Sequence, residues 1–161
     1  MRVALGFDHR GVRLRDVVFA AVTAAGHEAV DLGVDTDAVR VDYPDTARAV
    51  GEEILRGGAE RGVLVCGSGA GVSIAASKLR GIRAAMCHDA YSAHQAVEHD
   101  DMNVLCLGSE IVGAAVAREL VAVFLAASFD GGARYAARLE KVAAMEKEMS
   151  ADGQVQAPHA R

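Results

Sequence analysis

The sequence predicts an α/β protein of the three-layer α/β/α, Rossmann-like class, built on a five-stranded parallel sheet. Five short apolar segments alternate along the chain with longer segments of helical periodicity. The short segments are continuously apolar, which is typical of strands that are buried on both faces. Because parallel strands need crossover connections, the helices are expected on both faces of the sheet. A length of 161 residues suits one such domain.

Glycines or charged residues bound each apolar segment and set the limits of the predicted strands. In chain order these are Arg2–Phe7, Glu28–Leu32, Gly62–Cys66, Arg83–Cys87 and Asn103–Leu107. The predicted helices are Arg10–Ala25, Tyr43–Gly57, Gly71–Leu79, Ala90–Glu98, Ile111–Ala127 and Gly132–Met149. In the first helix Val18 and Val22 share an apolar face. In the second, Pro44 stands in the first turn, which tolerates a residue without an N–H. Gly26 and Gly57 are typical helix stops.

Composition and charge exclude several classes of function. The chain has 17 basic and 22 acidic residues, a formal charge of −5 without a dense basic stretch, so nucleic acid is excluded as a main partner. No window reaches the ~18 apolar residues of a membrane span. The N-terminal apolar segment meets Asp8 too early for a signal peptide. Three cysteines in or beside apolar segments fit reduced thiols in the cytoplasm better than a disulfide framework.

Domain organisation follows from the same pattern. Residues 1–149 are expected to form a single domain, and residues 150–161, which lack an apolar period, are expected to form a disordered tail. The core is rich in glycine and alanine and contains no Trp, so each side chain buries little area. A partner subunit would add to the stability of such a core.

The segment Gly67–Gly71, here called the glycine loop, follows Cys66 at the end of the third predicted strand and leads into a helix. Its alternating glycines allow a tight turn that aims several backbone N–H groups at one point, at the positive end of a helix. This arrangement suits an anion and favours the thiolate of Cys66, which makes that residue a candidate base or nucleophile. The alternative is a buried structural cysteine beside a glycine turn that serves packing.

Asp8 and His9 follow the first predicted strand, at the edge of the sheet where ligands bind. Adjacent Asp and His side chains there can orient a hydroxyl and a phosphate, or exchange protons near neutral pH. In the alternative, Asp8 only caps backbone N–H groups and His9 is solvated.

Three histidines, His88, His94 and His99, lie among acidic residues before the last predicted strand. Their spacing does not place two ligands on one helical face, so a metal site is not expected. His99, just before a strand, is the candidate proton donor, whereas His94 is expected to pack or to lie on the surface.

Arg134 and Arg138 are four residues apart, so they project from the same face of the last predicted helix. Two guanidinium groups on one face suit a phosphate. The alternative is a pair of surface arginines that form ion pairs with Glu140 or Asp130.

An ordered set of segments resembles one family over roughly residues 1–148. The segments are Asp8-His9, Asp42-Tyr43-Pro44, Val65-Cys66-Gly67-Ser68-Gly69, Ala75-Ala76-Ser77-Lys78, Gly81-Ile82-Arg83-Ala84, Tyr91-Ser92-Ala93 through His99, Asn103-Val104-Leu105, Gly108-Ser109, and Asp130-Gly131-Gly132 with Arg134 and Arg138. The chain resembles ribose-5-phosphate isomerase of type B, in the larger group that includes galactose-6-phosphate isomerase subunits.

The resemblance implies an aldose–ketose isomerisation through an enediolate, without metal or cofactor. Cys66 would be the base that moves a proton between C1 and C2, and His99, assisted by Asp8, would open the sugar ring. The other implied substrate contacts are the glycine-loop residues Gly67, Ser68, Gly69, Ala70 and Gly71 at the developing oxyanion, His9, Arg134 and Arg138 at the phosphate, and Tyr43 and Asp100.

The resemblance also implies a homodimer, or a tetramer built from it, with shared active sites. His99 would reach Cys66 of the partner, and the last helix, about residues 132–149, would pack on the partner. The leading substrate is D-ribose 5-phosphate, converted to D-ribulose 5-phosphate in the pentose phosphate pathway.

Three positions depart from the family pattern. Glu110 stands where many relatives have Arg, and a carboxylate there would repel a phosphate. Asp100 stands where relatives often have Asn, and Tyr135 where some have His. The alternatives to ribose 5-phosphate are therefore a tetrulose, allose, galactose or other hexose phosphate. A non-catalytic sugar-phosphate-binding subunit is a further alternative, which the retention of Cys66 and His99 argues against.

Overall fold

Five strands and six α-helices follow one another in a computed structural model, which describes residues 1–151 and the side chains of residues 1–148. The strands are β1 (Arg2–Phe7), β2 (Glu28–Asp31), β3 (Arg61–Cys66), β4 (Ala84–Met86) and β5 (Val104–Gly108). The helices are α1 (Arg15–Ala24), α2 (Tyr43–Leu55), α3 (Ala70–Ala76), α4 (Ala90–Asp100), α5 (Ala114–Ala126) and α6 (Ala133–Ala151).

All five strands pair in parallel within one sheet, in the order β2-β1-β3-β5-β4. The central strands β1, β3 and β5 are buried almost throughout, whereas the edge strands β2 and β4 are partly exposed. Because a strand that is buried on both faces has no side toward solvent, the segments that form the central strands are continuously apolar. The carboxyl ends of the three central strands lie side by side, with Phe7 paired to Val65 and Cys66 paired to Gly108.

Helices cover both faces of this sheet. α1, α4 and α5 contribute to one core cluster, in which Val18, Val97 and Phe124 are fully buried. α2 and α3 contribute to the other, in which Val50 and Val72 are fully buried. The predicted three-layer α/β/α, Rossmann-like class is therefore confirmed.

The first predicted helix begins later than expected, at Arg15 rather than Arg10. A carboxylate oxygen of Asp8 accepts hydrogen bonds from the backbone N–H groups of Arg10 and Gly11, at 2.9 and 2.8 Å. The chain then makes a 3-10 turn over Gly11–Leu14 before α1 starts. Local capping by Asp8 thus tightens the entry into the helix, which periodicity alone does not predict.

The fifth helix also begins later, at Ala114 rather than Ile111. The N–H groups of Ser109 and Glu110 donate to the carbonyls of Cys66 and Gly67, each at 2.9 Å. These bonds hold the segment after β5 against the glycine loop, so helical bonding starts only beyond it.

The chain divides into two compact units. Met1–Asp130 contains the whole sheet with α1 to α5, and the second unit, which starts at Gly131, contains α6. The single domain over residues 1–149 stays a prediction. α6 continues slightly past its predicted end, to Ala151, and residues 152–161 of the predicted tail lie outside the described residues. Within residues 1–151, no helix is both long enough and apolar enough to cross a lipid bilayer.

Candidate active site

A pocket of about 350 Å³ opens at the carboxyl edge of the sheet, beside the ends of β1 and β3. Loops rather than helices meet at this edge, which is why ligands of doubly wound sheets bind there. The pocket is lined by Asp8, His9, Arg10, Arg40, Asp42, Tyr43, Cys66, Gly67, Ser68, Gly71 and Glu110. The fold therefore brings together most of the predicted site residues of the first unit.

Asp8 is a buried carboxylate in this pocket. One of its oxygens holds the N–H groups of Arg10 and Gly11, and its own N–H donates to the carbonyl of Val65 at 3.2 Å. The capping alternative is thus what this carboxylate does in the structure. The backbone N–H of Asp8, rather than its carboxylate, ties the end of β1 to the end of β3 at the wall of the pocket that carries His9.

His9 is half-buried next to the loop that precedes α2. Its Nδ1 lies 3.3 Å from the carbonyl oxygen and 3.4 Å from the amide nitrogen of Val41. The ring therefore joins the end of β1 to the loop that carries Arg40 and Asp42 into the pocket.

Cys66 ends β3, and its side chain is buried at the base of the pocket. The N–H of Gly69 donates to Cys66 Sγ at 3.2 Å, so the sulfur has a backbone donor from the glycine loop. Gly69 has φ +82°, a left-handed conformation that glycine adopts without strain. The glycine is needed because this turn aims its N–H back at the sulfur.

Tyr43, the first residue of α2, lies against the glycine loop. A side chain at position 71 would meet the Tyr43 ring at 3.1 to 3.2 Å, so Gly71 allows the ring to approach the backbone. Ser68 is exposed in the pocket, and its hydroxyl accepts a hydrogen bond from the N–H of Ala70 at 3.3 Å. Gly69 and Ala70 follow directly but do not line the pocket themselves.

Four pocket residues are not predicted as site residues from the sequence: Arg10, Arg40, Asp42 and Glu110. Of these, Glu110 is a departure from the family pattern, and Asp42 is part of a matching segment. Arg10 Nη1 lies 3.3 Å from Glu110 Oε1, which places a cation beside the carboxylate that departs from the family pattern. Arg10 could have been predicted from its position in the sequence, because this residue directly follows Asp8-His9 at the carboxyl end of a strand. Its pairing with Glu110 depends on the neighbouring strands.

His99 and Asp100 lie away from the pocket, in the last turn of α4. α4 leads from the carboxyl end of β4 to the amino end of β5, so its last turn lies at the opposite edge of the sheet. Arg83 anchors this turn through Nε to the carbonyl of Asp101 at 2.6 Å. His99 Nδ1 lies 2.8 Å from Gln95 Nε2. Within one chain, the structure does not bring His99 and Cys66 together.

Arg134 and Arg138 lie on α6, in the second unit. The Arg138 guanidinium lies 5.9 Å from the centroid of the Tyr135 ring, a cation–π contact one turn along the helix. Their role at a phosphate stays a prediction.

The two other cysteines are chemically distinct from Cys66. Burial, reinforced by Asp89, raises the pKa of Cys87 to about 11. Burial also raises the pKa of Cys106. Both thiols are therefore protonated at neutral pH. All three cysteines are free.

The sequence does not predict His88, His94 and His99 as metal ligands. In the structure His94 and His99 lie beside one carboxylate, with His99 Nε2 at 3.9 Å from Glu98 Oε2, and His88 lies elsewhere. His88 Nε2 accepts the N–H of Gly108 at 3.0 Å, and His94, which is exposed, lies 3.6 Å from Glu98. Among residues 1–148, no three His, Cys, Asp or Glu side chains come together as a metal-ligating group.

Known proteins are similar to this chain in sequence and in structure. A family profile described as Ribose/Galactose Isomerase matches residues 3–142. Ribose-5-phosphate isomerase B of Escherichia coli is 39% identical over 91% of this chain and 97% of that protein. D-erythrulose-4-phosphate isomerase of Pectobacterium atrosepticum is 34% identical over 88% of this chain and 93% of that protein. The structure of Clostridium thermocellum ribose-5-phosphate isomerase B superposes with a TM-score of 0.88, at 40% identity, covering 92% of this chain and 99% of that one.

Proposed function

The chain belongs to the ribose/galactose isomerase family, and from this premise we propose that it is a sugar-phosphate isomerase that converts D-ribose 5-phosphate to D-ribulose 5-phosphate. The observation that carries the proposal is the hydrogen bond from Gly69 N–H to Cys66 Sγ, inside a pocket that is open to a small ligand. This contact places the proposed base, Cys66, next to a loop rich in backbone donors and within reach of a ligand in the pocket.

In the proposed mechanism the Cys66 thiolate removes the proton from C2 of the open-chain aldose. The electron pair of that C–H bond forms the C1–C2 double bond of an enediolate, and negative charge moves to the oxygen on C1. N–H groups of Gly67–Gly71 and the Ser68 hydroxyl stabilise that charge. The thiol then returns its proton to C1, while a proton passes from the C2 hydroxyl to the C1 oxygen, which leaves the ketose.

We propose that His99 opens the sugar ring from a second subunit. Cys66 and His99 belong to opposite edges of the sheet in one chain, so both can serve one substrate only when two copies meet. Met86, Tyr91 and Ile111 expose large apolar side chains near the carboxyl ends of β4 and β5. A second copy would cover this area, and α6 would pack on it. The assembly proposed is a homodimer, or a tetramer of such dimers.

The remaining proposed contacts orient the substrate. His9, Arg134 and Arg138 bind the phosphate, and Asp8 supports ring opening through the backbone that it caps. Tyr43 and Asp100 contact the sugar. Three free cysteines favour a reducing compartment, so a cytoplasmic location and a place in the pentose phosphate pathway belong to the same proposal.

A different phosphorylated sugar is the second candidate. The similarity to D-erythrulose-4-phosphate isomerase and the carboxylate of Glu110 in the pocket favour it. A non-catalytic sugar-phosphate-binding subunit remains the alternative of another class, and it predicts binding without turnover.

A substrate panel tests the proposal on the purified full-length chain. We expect the highest kcat/KM for ribose 5-phosphate among four-, five- and six-carbon aldose or ketose phosphates. A faster four- or six-carbon substrate would replace ribose 5-phosphate as the proposed substrate. Binding of all these sugar phosphates without turnover would favour the non-catalytic subunit.

Full isomerase activity is expected after exhaustive chelation of metal ions. An activity that chelation removes and zinc or manganese restores would instead indicate a metal-dependent hydride shift.

A further inference from the structure

The charge balance inside the pocket depends on one ion pair between distant parts of the chain. Arg10 follows β1 and Glu110 follows β5, yet their side chains meet at 3.3 Å within the pocket lining. A carboxylate alone at this position would oppose a phosphate, but here it has a guanidinium beside it.

Backbone contacts hold the two residues in this arrangement. The Ser109 hydroxyl donates to the carbonyl of Arg10 at 2.8 Å, and the N–H of Glu110 donates to the carbonyl of Gly67 at 2.9 Å. Position 67 carries no side chain, and one placed there would meet Arg10 Cδ at 2.9 Å. The Arg10 side chain therefore lies across the glycine loop, next to the residue that follows Cys66.

The ion pair between Arg10 and Glu110 is weak enough for a ligand to take the place of Glu110 beside Arg10. Both side chains are about half exposed, 53% for Arg10 and 44% for Glu110, so water screens their attraction. A phosphate carries more charge than a carboxylate and can accept two parallel hydrogen bonds from one guanidinium. A phosphorylated ligand in the pocket can thus compete with Glu110 for Arg10 while Asp8 keeps the backbone of Arg10 in place.

We propose that Arg10 is a binding residue for the phosphate of the substrate and that Glu110 is its exchangeable counter-ion, which lowers the affinity for phosphate. This inference rests on the proposed function and deepens it. It assigns to Arg10 the positive charge that many relatives carry on an arginine at position 110, where this chain has Glu110. The two residues affect binding with opposite signs. An ion pair that serves only to stabilise the fold has no such asymmetry.

Calorimetric titration of the full-length chain with inorganic phosphate tests the inference without requiring turnover. Arg10→Gln should weaken phosphate binding about 10- to 100-fold, the range contributed by a hydrogen bond between charged groups. Glu110→Gln should tighten it about two- to fivefold, as expected for removing a screened like charge. Arg13→Gln, an exposed arginine of the same turn that does not line the pocket, serves as the matched control and should leave the affinity unchanged.

The double variant Arg10→Gln, Glu110→Arg returns the cation to the pocket from the other side and should recover most of the lost phosphate affinity. With the preferred sugar phosphate, Arg10→Gln should raise KM more than it lowers kcat. The inference is overturned if the wild-type chain binds no phosphate, if Arg10→Gln leaves the affinity unchanged, or if both single variants change it in the same direction. A wild-type chain that binds phosphate through Arg10 but isomerises no sugar phosphate would overturn the proposed function alone.

Discussion

At the scale of single residues, Cys66 differs from the other cysteines in what surrounds its sulfur. It lines the pocket and receives the N–H of Gly69. Cys87 and Cys106 are enclosed in the two apolar cores, and burial raises the pKa of each. The same side chain therefore has different chemistry at the three positions, because only one of them combines access with a backbone donor.

Thiol labelling should follow this difference. At pH 7.5 we expect iodoacetamide to modify Cys66 alone, and ribose 5-phosphate to slow that reaction. The thiolate is the reactive form, and a pKa raised to about 11 keeps Cys87 protonated at this pH. Labelling of Cys87 should therefore increase only as the pH rises towards that value. Mass spectrometry of the digested protein checks the sites, and early modification of Cys87 would contradict the assignment.

Cys66→Ala should lower kcat about 100- to 10,000-fold, the range that a general base contributes. Ribose 5-phosphate should still raise the Tm of this variant, since its other proposed contacts remain. Cys87→Ala is the matched control and should retain activity. Near-normal turnover in Cys66→Ala would remove this residue from the role of base.

At the scale of elements, the site depends on how closely β5 approaches the glycine loop. A side chain at position 108 would lie 2.6 Å from the backbone of Ser68, so Gly108 lets the two segments touch. His88 holds the N–H of Gly108 from the end of β4. Strand ends and loop thus form one packed layer beneath the pocket.

Gly108→Ala should therefore displace Ser68 and its neighbours. We expect a loss of about 1 to 3 kcal/mol in the free energy of unfolding, as for other overpacked sites, and a larger proportional loss in kcat/KM. Gly113→Ala places its methyl group in open space and serves as control. Urea unfolding and initial rates measure both effects, and unchanged kinetics in Gly108→Ala would show that the loop position does not matter for turnover.

The start of α4 depends on Asp89, whose carboxylate accepts the N–H of Ser92 at 2.7 Å. This hydrogen bond lowers the pKa of Asp89. A lowered folded-state pKa stabilises the fold above the ordinary carboxyl pKa, and that stabilisation is lost as the pH falls through the lowered value. Asp89→Ala should thus lower Tm at pH 7, and the difference from wild type should shrink in acid. A difference in Tm that is the same at every pH would contradict this origin.

At the scale of the whole molecule, the separation of Cys66 and His99 makes the proposed reaction depend on assembly. One chain holds Cys66, the proposed base, at the carboxyl edge of the sheet and His99, the proposed proton donor, at the amino edge. In a symmetric dimer, each site would take one of these residues from each chain.

Mixing two inactive variants tests this arrangement. Cys66→Ala and His99→Asn should each be inactive alone, but random reassociation after mixing should restore about a quarter of wild-type activity, because half of the dimers carry one intact site of two. Mixtures of Cys66→Ala with His94→Asn, which replaces an exposed histidine of the same helix, should show the activity of the His94→Asn dimers and of the mixed dimers. No recovery in the first mixture, with dimers confirmed by light scattering, would contradict a shared site.

The sequence by itself determined the elements and the chemistry of their ends. Strands that are buried on both faces must be continuously apolar, and the tight turn of the glycine loop needs alternating glycines. Short stretches of sequence therefore predict both features. The positions of Cys66, Asp8 and His9 at the carboxyl edge follow from those elements and the rules for parallel sheets. Capping by Asp8 moved the start of α1 from Arg10 to Arg15, because the periodicity of apolar residues does not register a side chain that bonds to the backbone.

Only the tertiary structure decided which of these residues meet. The order β1-β3-β5 at the centre of the sheet brings Arg10 to Glu110, although the two are far apart in the chain. The crossover through α4 carries His99 to the edge opposite Cys66. Contacts of this kind depend on strand order and register, which no local pattern contains. The sequence therefore predicts which side chains can act, and the fold determines which of them can act together.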